Sequence, residues 1–275
     1  MKKRMLLYVV FGLVFYLLFL IVEMPASWFA WGLNRYTQGT VRLDPISGSV
    51  WSGTGRLVIY YPQTVPHDFG QTEWSINPGW LFTGRVQMHW RTESPDRRID
   101  TVLRFGGNQT QLLETQAALP ASAVSAFYPP ASLISPQGQV SLRTGKLVIG
   151  GGLTGNAEIQ WQNASSALSS VQPLGTYRLE VSGAGETATL RLTTMQGVLE
   201  LSGQGQWQAK TGQVQLTGSA VPRERAAELE PLLKLMGNDQ GAGRRALAFN
   251  FPLTPAIRPT PTLPTPTANP PVKPK

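Results

Sequence analysis

Nine times along this chain a glycine is followed by residues that alternate between apolar and polar. The segments are GTVRL from Gly39, GSVW from Gly48, GRVQMHW from Gly84, GQVSL from Gly138, GNAEIQW from Gly155, GTYRLEV from Gly175, GVLEL from Gly197, GQWQA from Gly205 and GQVQL from Gly212. Alternation with period two sends successive side chains to opposite faces of a strand, and glycine admits the positive φ of tight turns. A chain patterned this way reads as mainly β: an antiparallel, glycine-punctuated sheet with one buried and one wet face. Several starts lie within roughly 8–20 residues of the next, which suits hairpins and meanders rather than βαβ crossovers. With 28 Gly and 22 Pro in 275 residues, turns are plentiful, and only 15% of residues are charged, against a typical ~25%.

The formal charge of +8 suggests a polyanionic partner until it is located along the chain. Lys2, Lys3 and Arg4 precede the first apolar run, and Arg244, Arg245, Arg258, Lys273 and Lys275 follow the last acid, Asp239. Residues 5–239 then hold sixteen basic residues against all sixteen acids. A neutral body lacks the electrostatic footprint for a phosphate backbone, so no nucleic-acid partner is expected. Cysteine is absent, which removes disulfides, thiolate nucleophiles and thiol-ligated metals and leaves the compartment open.

Residues 5–22 form an eighteen-residue run without a charge or a proline. As a helix it measures about 27 Å, close to the ~30 Å hydrocarbon layer. Trp28 and Trp31 follow, where amphipathic rings favour the membrane–water interface, so an interfacial extension to about residue 32 is expected. A cleaved signal peptide shares the basic start and apolar core. The run is longer than a signal core of roughly 7–15 residues, Glu23 and Pro25 follow directly, and the small-x-small option at Ala30 and Gly32 is distant. A retained single-pass anchor is therefore expected, with residues 1–4 cytoplasmic by the positive-inside bias and the bulk periplasmic.

A boundary is expected near residues 128–137, giving β halves over 35–130 and 131–251. Two helices are expected to interrupt the sheet: a short one within residues 115–127, and one near 223–236 with apolar residues at 226, 229, 232, 233 and 236. From residue 252 the chain carries nine prolines in 24 residues and is expected to be a disordered tail. The strands near residues 39–60 and 197–217, each near one end of the body, are expected to provide the open sheet edges.

Catalytic motifs are sparse. His67 and His89 lack metal-ligand spacing, and Gly150, Gly152 and Gly155 satisfy G-x-G-x-x-G but lead into a strand, where a dinucleotide site needs a helix. No P-loop and no nucleophile elbow occurs. Asp96 and Asp100 form the nearest acidic pair, and Arg97 and Arg98 between them favour a charged hairpin tip. Trp51, Trp74, Trp80, Trp90, Trp161 and Trp207 read as core packing, with a carbohydrate platform or partner groove as the alternative. No catalytic, cofactor or metal residue and no small-molecule substrate is expected.

Ordered segments carry a resemblance. GTVRLDPISGSVWSGTGRLVI (39–59), TEWSINPGWLFTGRVQMHW (72–90), SPQGQVSLRTGKLVI (135–149), LTGNAEIQWQNA (153–164), PLGTYRLEVSGAG (173–185) and TMQGVLELSGQGQW (194–207) resemble protein N of the type II secretion system, over roughly residues 1–250. The resemblance implies a non-enzymatic inner-membrane accessory component of the machine that exports folded proteins from the periplasm, with other envelope secretion proteins as partners. An AsmA-like periplasmic lipid-handling β protein is the alternative, which a long apolar groove lined by inward strand residues would favour. A glycan hydrolase would need two carboxylates about 5–9.5 Å apart in a cleft.

Overall fold

The computed structural model describes residues 2–60, 66–127, 129–241 and 243–252. Thirteen strands form one sheet in strictly sequential order, every neighbour antiparallel. They are β1 (Val41–Gly48), β2 (Ser52–Ile59), β3 (His67–Asn77), β4 (Val86–Ser94), β5 (Arg97–Gly106), β6 (Gln109–Pro120), β7 (Pro136–Ile149), β8 (Leu153–Ser166), β9 (Gly175–Gly185), β10 (Thr187–Gly197), β11 (Leu199–Gln208), β12 (Gln213–Pro222) and β13 (Arg245–Pro252). The proposed division into halves falls between β6 and β7, and these two strands pair over ten positions.

Seven of the nine glycines that lead alternating segments have positive φ. Gly205 is different: it lies inside β11, and a Cβ there would meet the Gln215 carbonyl oxygen of β12, so close backbone approach is what requires glycine. The segment at Gly48 is a hairpin turn rather than a strand, closed by the Ser49 N–H donating to the Ser52 carbonyl at 2.8 Å.

The pairing register separates two faces. One carries Trp74, Trp90, Leu142, Ile159, Leu179, Leu192 and Leu216; the opposite face carries His89, Arg91, Gln160, Arg178, Gln204 and Gln215. The longer helices cover the apolar face at its two ends, and the short helical segments over 121–127 and 129–134 reach over part of its middle. Near β1, α2 (Ala26–Tyr36) packs Phe29 on Trp74 at 4.7 Å between ring centroids, over Leu43, Leu57 and Phe69. Near β13, α4 (Ala226–Met236) buries Leu229, Leu232 and Leu233 against Leu199, Ala220 and Leu247. This is the expected apolar stripe, but α4 starts later than residue 223, because Arg225 adopts a left-handed conformation with φ of 55°.

Residues 115–120, the start of the stretch in which a short helix is expected, are strand, and the helical part is confined to 121–127. Thr115, Ala117 and Leu119 pair with Thr144, Leu142 and Val140 of β7, and their period of two outweighs the alanine content. Only α3 (Val124–Phe127) is α-helical there. The glycine-rich run at 150–155 is the β7–β8 turn with the start of β8.

Before the sheet, α1 (Lys2–Val22) leaves every large apolar side chain between residues 8 and 22 exposed. Counted over the described residues, no helix is long and apolar enough to cross a membrane; the expected span over 5–22 begins among residues 1–7, whose side chains lie outside the described set. Of the tail expected over 252–275, Pro252 is instead the last residue of β13, and the remainder lies outside the described residues.

Candidate functional surface

On the polar face the charges that cancel in the sequence meet across strands. The Arg56 Nε donates to Asp68 Oδ2 at 2.8 Å, and Arg223 Nε to Glu200 Oε2 at 3.0 Å. Asp100 of β5 faces Arg91 of β4 in register; it accepts from Arg91 Nε at 3.1 Å and lies 2.7 Å from His89 Nε2. Partial burial pushes the Asp100 carboxyl upward, but the hydrogen bonds from His89 and Arg91 and the Arg91 charge outweigh it and hold the carboxyl below its usual range. The Arg56 hydrogen bond likewise lowers Asp68.

The structure separates the two carboxylates that the sequence places close together. Asp96 sits at the β4–β5 hairpin tip, 3.6 Å from Arg97, while Asp100 joins His89. Ser75 of β3 faces His89 in register, yet no hydrogen bond joins them among the described residues. His67 opens β3, opposite Ile59. No cluster of three or more His, Cys, Asp or Glu is placed to hold a metal among the described residues.

Of the tryptophans, Trp74 is the one fully in the core, at 2% exposure. Trp80 lies under the Arg104 guanidinium, 4.5 Å from its ring centroid. Trp51 donates its indole N–H to the Ile21 carbonyl at 2.8 Å, and the Val50 N–H donates to Met24 at 2.9 Å. These two bonds fasten the end of α1 to the first hairpin. Trp28 and Trp31 are exposed.

Between the two helical caps the apolar face is half-covered. Val140, Leu142, Ile159, Leu179, Leu190 and Leu192 are all partly exposed, and a cavity of about 280 Å³ opens there between Val124, Ile134, Trp161 and Leu179. At its margin lies Tyr177, whose buried phenol donates to the Leu199 carbonyl at 3.0 Å and is pushed up in pKa by that burial. Across four strands, β7 to β10, this trough is about 14 Å wide at ~4.8 Å per strand.

A model of the family described as type II secretion system protein N matches residues 39–248, from the start of β1 into β13. The chain belongs to this family. Membership ties it to type II secretion and to the other components of that system. No curated protein sequence and no solved structure matches the chain. In the protein N family member described here, the matched span covers the whole sheet except the last residues of β13, and omits α1 and α2.

The open edges are not all where the sequence suggested. β1 is one edge, but β11 and β12, the strands that fall in or begin within 197–217, are interior, and β13 is the other edge. β13 (RALAFNFP) does follow a positive-φ glycine, Gly243, but Ala246 and Ala248 stand at its outward positions in place of polar residues, so the alternation that marks the other strands is blurred there.

Proposed function

We propose that this protein is a non-enzymatic accessory component of the inner membrane that scaffolds the type II secretion machine during export of folded proteins from the periplasm. Helix α1 anchors it as a single span, Lys2, Lys3 and Arg4 stay cytoplasmic, and the sheet stands in the periplasm. The observation that carries this reading is the direct fastening of an exposed apolar helix to the sheet through Trp51 and Val50, which turns the sheet into a platform set at the bilayer. The His89–Arg91–Asp100 group acts as a cross-strand ion cluster rather than a catalytic centre.

A periplasm-only reporter fused after Pro252 should be active, the fusion should resist extraction from membranes by carbonate, and other secretion components should co-isolate with it. An inactive reporter, or a soluble chain lacking residues 1–32, rejects the anchor. The half-covered apolar trough over β7–β10 favours a second reading, periplasmic lipid handling of the AsmA-like kind, because a strip of aliphatic side chains without charge is chemically suited to acyl chains.

A further inference from the structure

The two edges of the sheet are built differently. Along β1, α2 packs on the strand, the Val41 N–H is taken by the Thr37 hydroxyl at 3.1 Å, and Pro45 has no N–H to offer. Packed helices and prolines are the usual means of closing an edge. β13 has such protection only at its start. The Ala246 N–H donates to the Asn238 carbonyl at 3.0 Å on the side away from β12, so the even-numbered residues of this strand direct their backbone groups outward. Ala248 and Asn250 therefore present N–H and C=O groups to solvent, both residues are exposed, and among the described residues nothing pairs with these groups.

This open stretch is its own complement. It is bounded at Ala246 by Asn238 and at Pro252 by a missing N–H, and its centre is Phe249, which is 46% exposed at the edge of the apolar face. A strand laid antiparallel about that centre sets Ala248 opposite Asn250 twice, making four backbone hydrogen bonds, with one Phe249 facing the other in the closer, non-hydrogen-bonded pair. Because α2, the bonded Val41 N–H and Pro45 obstruct β1, β13 of a second copy is the better partner for β13, and that contact closes on itself as a two-fold. The chain after β13 is a poor occupant, since its frequent prolines lack ladder donors.

We infer that β13 is a self-association edge, pairing antiparallel with β13 of a second copy of this chain about Phe249. The proposal is independent of the secretion role and of the anchor. The chain has no native cysteine, so Phe249→Cys in the full-length protein in mild detergent should oxidise to a covalent dimer, the facing Cα atoms lying about 4.5 Å apart, within disulfide reach. Gln206→Cys, on interior strand β11, should stay monomeric. Ala248→Pro should abolish the dimer of the otherwise wild-type chain, measured by light scattering. Should that variant misfold, Phe249→Lys and Phe249→Glu provide the decision: each alone monomeric, the mixture dimeric. Failure of Phe249→Cys to crosslink, capture of a different protein in place of a second copy in cells, or a mixture that stays monomeric overturns the proposal.

Discussion

Asp100 illustrates how single residues acquire roles that their neighbours in sequence do not disclose. Alternation along β4 and β5 brings Arg91 opposite it and His89 within 2.7 Å, and both bonds favour the ionised carboxylate. Asp100→Asn should cost about 0.5–1 kcal/mol at pH 7, the range of a well-placed surface ion pair, while secretion stays close to wild type. The folded carboxyl lies below its unfolded value, so its stabilising share is complete above the unfolded pKa and fades as pH falls through the folded one. Urea unfolding should show wild type and variant converging in acid. A gap that persists there means that Asp100 acts through packing rather than charge.

Strands in this sheet are joined by more than backbone ladders. On the apolar face Thr72 and Thr92 share a hydrogen bond at 2.9 Å, Thr101 and Thr115 share one at 2.6 Å, and Thr144 donates to the Asn156 carbonyl at 2.6 Å. These five threonines are 0–7% exposed. A buried hydroxyl without a partner costs about 1–3 kcal/mol, whereas replacing both partners by apolar groups of the same shape can be nearly neutral. Thr101→Val should therefore destabilise by about that amount, and adding Thr115→Val should restore much of the loss. Strict additivity in chemical denaturation would show that the hydroxyls are not coupled. At the same scale, α4 keeps its course through Pro231 because Leu229, Leu232 and Leu233 are held by the core beneath, and packing outweighs the missing hydrogen bond.

At the scale of the whole molecule the arrangement is a long sheet with one apolar face, capped by α2 at one end and α4 at the other. The strip between the caps is the test of the lipid reading. Full-length protein extracted gently should carry lipid near one equivalent by mass spectrometry, and Ile159→Asp with Leu179→Asp should lower that occupancy several-fold without loss of the fold. Lipid-free wild type would leave the scaffold reading alone. Much of this architecture was legible in the chain: alternation is a property of each strand by itself, so the β class, the two-faced sheet and the apolar stripe of α4 could be read from residues a few positions apart. The short helix read within 115–127 is present over 121–127 only, while pairing with β7 makes 115–120 a strand, which the alanine content did not disclose. Pairing of His89 with Asp100, the threonine ladder and the identity of the free edge are set by which strands lie side by side and in what register. Those are relations between segments distant along the chain, and only the assembled sheet decides them.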